Sequence, residues 1–384
     1  SSTIGMNPNL KPEKTSSIEA GFEAAFWDNR LYLDFTYYKT DSRNQILKLA
    51  TTAASGYTSQ VRNAGHIRNR GYEIQLGAVP IQTSKGFRWN LDLNYGANSS
   101  KVVKLDDEGL ITSYRLYSSG IQILASVGEA YGTLFGTSYV RDANGNVVVD
   151  ANGLPKISTT NKTLGKFTPD WTGGISNTFS YRSLSLSFLI DASVGGSIFS
   201  NTNKTGKYTG VLANTLSGRD AEHGGLWYYT AAMGNNVRLP ESPSYSVSSD
   251  GLYYAQVNGQ STRVYQDGIM VEGVTESGSK NEEVVSAEKY YHRIYSIAEA
   301  NVYDASYVKL REVALSYRLP RLWTQKLHLQ EASVTLTGRN LWTIYKSVPN
   351  IDPESALTTG NAQGVEAYSL PTTRSFGVNL SVKF

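Results

Sequence analysis

The sequence predicts an all-β protein, an antiparallel β-barrel whose strands cross a membrane, and three observations predict it. The first is the run from Arg374 to Phe384. Phe376, Val378, Leu380, Val382 and Phe384 take one parity, and Ser375, Gly377, Asn379, Ser381 and Lys383 take the other. Side chains of a strand alternate faces with period two, so this segment has one apolar and one polar face. The second observation is that nine further segments resemble it, giving about ten strands. The third is that the connections between them alternate between short and long.

The elements follow in order. Ile18, Ala20, Phe22, Ala24 and Phe26 alternate with Glu19, Gly21, Glu23 and Ala25. Asp28-Asn29 suits a tight turn, after which Leu31, Leu33, Phe35 and Tyr37 alternate with Tyr32, Asp34, Thr36 and Tyr38, completing a hairpin. A second pair runs through Tyr72, Ile74, Leu76 and Ala78, a Ser84-Lys85-Gly86 turn, and Phe87, Trp89, Leu91, Leu93, Tyr95 and Ala97. Glu129 to Tyr139 is a Gly- and Tyr-rich extended stretch. Trp171 to Tyr181 and Leu184 to Val194 form a third hairpin through Arg182-Ser183. In Tyr307 to Leu319 the apolar parity slips between Val308, Leu310 and Val313, Leu315, which predicts a β-bulge near Arg311-Glu312. Val334, Leu336 and Gly338 mark the penultimate strand.

The turns after Trp27, Ile81, Tyr181 and Leu319 are short, and the other connections run to about 25, 65, 105 and 30 residues. Structureless loops of that length are unusual in compact soluble domains. Short turns on one side and long loops on the other are the outer-membrane pattern, with the long loops outside and the C-terminus in the periplasm. A one-residue slip would turn Glu19, Glu23, Asp34, Glu73, Arg88, Asp92, Asp191 and Lys383 toward lipid. Each Arg or Lys at the midplane costs roughly 2–4 kcal/mol, acids somewhat less. Together they would exceed a typical stability of about 5–15 kcal/mol. The polar parity therefore faces a lumen.

Composition agrees. The 384 residues carry a formal net charge of +3, which argues against a nucleic-acid binder. No apolar run approaches about 18 residues, so spanning helices are excluded, whereas alternating strands are not. The 26 Tyr suit interfacial belts and the 35 Gly suit turns and close strand packing. With no Cys there are no disulfides and no thiol chemistry. No signal peptide is visible at Ser1, which for an exported chain implies a mature form or a fragment.

Several segments resemble the barrel of SusC/RagA-like TonB-dependent transporters. They are N-P-N-L-K-P-E-K-T-S-S-I-E-A-G-F-E from Asn7, N-A-G-H-I-R-N-R-G-Y-E-I from Asn63, and Y-V-K-L-R-E-V-A-L-S-Y-R-L-P from Tyr307. G-R-N-L-W-T from Gly338, I-D-P-E-S from Ile351 and the terminal F-G-V-N-L-S-V-K-F complete the series. The resemblance implies that residues 1–384 are the C-terminal portion of a barrel of 22 strands, without the family's plug domain and TonB box. It implies an outer-membrane importer of oligosaccharides or peptides, capped by a SusD-like lipoprotein. A second polypeptide or segment would carry the plug, the remaining strands and the link to TonB, because open strand edges cannot face lipid. No enzymatic activity, cofactor or nucleic-acid partner is expected. The alternative is a stand-alone barrel acting as a passive porin or rim-site hydrolase.

Trp227, Tyr228, Tyr229, Tyr253, Tyr254, Tyr290 and Tyr291 fall in the longest external loop and are the candidate cargo contacts, since aromatic faces stack on sugars and pack peptides. They equally suit the aromatic core of a folded loop. Asp142 to Gly153, D-A-N-G-N-V-V-V-D-A-N-G, has the oxygen-rich start of a calcium loop but lacks the closing Glu, and reads better as two Asn-Gly turns in a small hairpin. His66, His223, His292 and His328 show no metal-binding spacing, and Asp220, Glu222 and His223 read as a polar loop tip.

Overall fold

The computed structural model describes residues 4–5, 7–50, 57, 59–106, 109, 111–326 and 328–384. Nine long strands form one sheet in which each pairs antiparallel with the next. They are β1 (Lys14–Phe26), β2 (Leu31–Arg43), β3 (His66–Gln82), β4 (Phe87–Lys104), β5 (Trp171–Tyr181), β6 (Leu184–Val194), β7 (Tyr307–Arg318), β8 (Glu331–Lys346) and β9 (Ser375–Lys383). Among the described residues three α-helices lie between them: α1 (Asn201–Thr209), α2 (Ala287–Tyr295) and α3 (Arg321–Lys326). Among the described residues no helix is long and apolar enough to cross a membrane.

The extended stretch Glu129 to Tyr139 does not join this wall. Its Tyr131–Gly136 strand belongs to a separate four-stranded sheet with Ser113–Ser118, Gln122–Ser126 and Lys162–Lys166. Tyr131–Gly136 is mostly buried on both faces, unlike the one-sided wall strands.

The register matches the alternation of the sequence. Phe22 pairs with Phe35, Leu93 with Ile175, and Leu336 with Val378, so apolar residues line one face across strands. Asp191 pairs with Lys309 and Glu331 with Lys383 on the other face. The apolar face has no protein cover: Phe376 is 80% exposed, Val378 74% and Ile18 71%. The bulge falls where the parity slips. Leu189 pairs with Glu312 and Ile190 with Leu310, which leaves Arg311 over.

The hairpin turns gather at one end of the sheet. Trp27, Asp28 and Asn29 all adopt positive φ, and Arg182 does so in its two-residue turn. At the other end the chain makes connections through residues 44–65, 105–170, 195–306 and 347–374. The outer edges of β1 and β9 pair with no other described strand, so the wall is open on both sides.

Candidate functional site

Described residues of the three longest connections, 105–170, 195–306 and 347–374, build buried cores. Ile121, Ile123, Leu134, Phe199, Ala298 and Val365 come from three different connections and share one cluster, in which Phe199 is fully buried. The short strand Ser197–Ser200 joins two of these connections. It pairs antiparallel with Val302–Asp304 and parallel with Val365–Glu366. Glu366 is fully buried, yet its carboxylate accepts hydrogen bonds from the Ser200 and Thr202 hydroxyls, both at 2.6 Å, and from the Ser369 N–H at 3.1 Å. Ser200 also caps α1 by accepting from the Asn203 N–H. A carboxylate at a helix N-terminus gains from the helix dipole, which helps offset its burial.

A second polar network pins residues 347–374 to the polar face of the wall. The Lys309 ammonium, 3% exposed, donates to Asp352 Oδ1 at 2.7 Å and to Glu354 Oε2 at 2.5 Å. Arg311, the bulged residue, grips Asp191 with two hydrogen bonds of 2.6 and 2.9 Å and also donates to Glu354. The Tyr307 hydroxyl donates to Glu354, and Thr372 donates to Asp352. Burial raises the pKa of Asp352, but hydrogen bonds from Lys309 and Thr372 overcome it and hold the acid below its ordinary value. Glu354 is held down in the same way, against burial, by Arg311 and Lys309. The sequence shows both motifs, K-x-R on a strand, where the spacing puts two cations on one side, and D-x-E in a loop. It does not show that they meet.

The seven candidate aromatics divide between two places. Trp227, largely buried, stacks on Tyr245 with ring centres 5.1 Å apart and meets Tyr253 edge-on. Tyr229 and Tyr253 pack on the same core, around Ala255 and Val264. Tyr228 stacks on Tyr265, and its hydroxyl donates to Asp267. Tyr254, on the strand Tyr253–Val257, is half-buried. Tyr290 and Tyr291 lie elsewhere, on α2.

Those two tyrosines line a cleft of about 680 Å³ together with Tyr139, Lys207, Met270 and Glu272. The Tyr291 hydroxyl donates to the Asn214 and Ser217 carbonyls. Lys207, which no local sequence pattern marks, is 9% exposed and makes no ion pair among the described residues. Its ammonium donates to the Ala300 carbonyl at 2.9 Å and lies 5.2 Å from the centre of the Tyr303 ring. Burial pushes its pKa down to about 8. The cleft thus joins aromatic faces, a cation and an acid, which suits a polar ligand with apolar surface.

Asp142 to Gly153 folds as two tight turns around Val147–Val149. Asp142 accepts from the N–H groups of Asn144 and Asn146, and Asp150 from those of Asn152 and Leu154. One oxygen of each carboxylate is thereby occupied with backbone, and the other accepts from the Asn146 side-chain amide or from Arg293, respectively. Among the described residues no group of three His, Asp or Glu is placed to hold a metal ion. Asp220 caps a short 3-10 turn and accepts from His223 Nδ1 at 2.7 Å. His66 lies 2.5 Å from Asp41, which Arg68 also binds.

A family model described as TonB dependent receptor-like, beta-barrel, matches residues 1–341. TonB-dependent receptor P3 of Formosa agariphila is 27% identical over 98% of this chain and 35% of its own length. TonB-dependent receptor SusC of Bacteroides thetaiotaomicron is 28% identical over 56% of this chain and 23% of its own. The chain spans about a third of the length of the first of these relatives. Among solved structures, the RagAB peptide transporter shares the fold, with a TM-score of 0.62 and 20% identity over 98% of this chain and 36% of that one.

Proposed function

We propose, from the premise that this chain belongs to the TonB dependent receptor-like β-barrel family, that it forms part of the wall and the external gate of an outer-membrane nutrient importer. The observation that carries the reading is the open nine-strand wall. One face is apolar and uncovered, the other polar, and both edges lack partners among the described residues. Unpaired backbone in lipid costs several kcal/mol per group, so further strands must close the sheet. A second polypeptide, or a further segment of the same one, supplies them together with a plug and the link to TonB.

The long connections lie outside the cell, the hairpin turns and Phe384 in the periplasm. The folded connections form one half of a gate, and a SusD-like lipoprotein forms the other. Cargo is an oligosaccharide or a peptide, and the charged inner face lets it pass. Tyr290 and Tyr291 contact it at the cleft beside Lys207, while Trp227, Tyr228, Tyr229 and Tyr253 hold the loop in shape and Tyr254 offers a flanking surface. The chain breaks no covalent bond.

The test is purification of the complete particle from outer membranes, identification of every polypeptide in it, and uptake of labelled oligosaccharide or peptide. The reading expects a surface lipoprotein in the particle and uptake that stops when the proton gradient is collapsed. Uptake indifferent to the gradient, in a particle with no lipoprotein, would establish a passive porin instead.

A further inference from the structure

The apolar face of the wall has a measurable height. Trp171 and Tyr181 bound it on β5, ten residues apart on one parity. At about 3.3 Å per residue and a tilt near 40°, that separation is about 25 Å, the height of an outer-membrane apolar band. The end nearer the long connections is marked by paired aromatics: Tyr72 stacked on Tyr95 at 6.0 Å, and Tyr95 tilted against Trp171 at 5.4 Å.

Beyond that belt the same face turns cationic. Lys39 lies directly across from Arg70, and Arg68 directly across from Lys101. Like charges facing each other across a ladder are destabilising. Asp41 binds Arg68 at 2.9 Å and is shared with His66. Lys39, Arg70 and Lys101 make no ion pair among the described residues. Two depressions adjoin here. The outer one, about 470 Å³, lies between Tyr37, Arg70, Tyr72 and Lys166 over the small residues Ala97 and Ser99. Lys166 is paired with Asp170 at 2.7 Å, so the free charge comes from Arg70. The inner one, about 310 Å³, is lined by Leu93, Tyr95, Trp171, Gly173, Ile190 and Ala192. The Tyr95–Trp171 pair borders it on the outer side.

We propose that this face docks a phosphorylated, acylated lipid of the bilayer leaflet beside the long connections, with its phosphate against Lys39, Arg70 and Lys101 and an acyl chain in the groove below Trp171. The charge complementarity selects this occupant: unpaired cations lie just outside an aromatic belt, and an apolar groove lies just inside it. A protein partner would have to enter the bilayer to fill the inner groove. A free phosphate would leave that groove unused. The inference rests on the membrane reading above.

The experiment places the complete, closed barrel in nanodiscs of phosphatidylcholine, alone or with a bis-phosphorylated lipid A, and measures thermal unfolding and retained lipid by native mass spectrometry. A parallel phosphatidylcholine sample receives inorganic phosphate. The expected result is stabilisation and retention with lipid A only. Lys39→Gln/Arg70→Gln/Lys101→Gln lowers retention about tenfold or more. Ala192→Phe, which fills the groove and leaves the cations intact, also lowers retention. Equal retention by wild type and the triple variant, or equal stabilisation by inorganic phosphate, would overturn the proposal and leave the importer reading standing. Failure of the protein to insert at all would overturn both.

Discussion

The wall and the connections obey opposite rules for apolar side chains. On the wall, Phe376, Val378 and Ile18 stand exposed on an uncovered face. In the connections, Phe199, Leu134 and Val365 are buried completely. The difference is one of solvent. Lipid is as apolar as a side chain and gives the wall no reason to hide its residues, whereas water drives the connections to build cores. Polar groups reverse the pattern. The connections bury Glu366 only with several hydrogen-bond donors around it, while within the apolar band the wall keeps its charges on the opposite face. The two regions meet at Lys309, Arg311, Asp352 and Glu354, where a strand and a loop are fastened by charge.

Breaking that fastening gives the largest expected effect. Lys309→Met leaves Asp352 and Glu354 with fewer cations and costs about 3–5 kcal/mol, measured as loss of protection of residues 347–374 in hydrogen exchange. The pH dependence follows from the lowered acids. Their folded pKa values lie below their unfolded ones, so the unfolded loop binds more protons. The stability they contribute is complete above the ordinary carboxylate range and is lost as pH falls below about 4. Proteolysis of the loop should rise in that window for wild type, and Lys309→Met should flatten the rise.

Two phenylalanines compare the regions directly. Phe199→Ala removes a side chain from a closed core and costs about 3–5 kcal/mol, because a cavity is added to the lost transfer energy. Phe376→Ala should cost only about 1.5–3 kcal/mol, since fluid lipid fills the space it leaves. Denaturant unfolding in lipid vesicles measures both. Equal costs would mean that Phe376 is covered in the complete barrel.

The sequence makes the wall legible because its signal is local. Ile18 through Phe26, or Phe376 through Phe384, announce their faces by alternation alone, and even the bulge at Arg311 appears as a slip of parity. The connections are legible only as lengths. Phe199 meets Ile121 and Val365 from far along the chain, and no periodicity encodes those meetings. Lys207 looks like an ordinary surface lysine until α1 packs beside Asn301 and Tyr303. The aromatic pairs Trp227-Tyr228 and Tyr290-Tyr291 were visible as clusters, but their separation into a core and a cleft depends on tertiary packing.

The two faces of one strand sharpen the contrast at the scale of a single residue. Ile175→Arg, near the middle of the apolar band, should cost roughly 2–4 kcal/mol, whereas Ser176→Arg, on the polar face, should stay within about 0.5 kcal/mol. The same charge is moved by one position, so propensity and length are nearly constant. Folding yield in vesicles reads the difference, and equal yields would refute the assignment of faces.

The smallest effect concerns an exception on the wall. Asn177 shares the parity of Ile175 and Phe179, yet it is polar. The Trp89 indole N–H donates to its side-chain oxygen at 3.0 Å, and both side chains sit among Phe179 and Phe188. Trp89→Phe keeps the ring and removes the donor. Hydrogen bonds between side chains within the membrane average about 0.6 kcal/mol and reach about 1.7, because the unfolded chain also finds partners there. The double-mutant cycle with Asn177→Leu should therefore give a coupling of about 1 kcal/mol, and Asn177→Leu alone should be close to neutral. A coupling near zero would mean that water or another side chain already satisfies Asn177, and that the wall tolerates loss of this hydrogen bond more readily than the buried cores of the connections do.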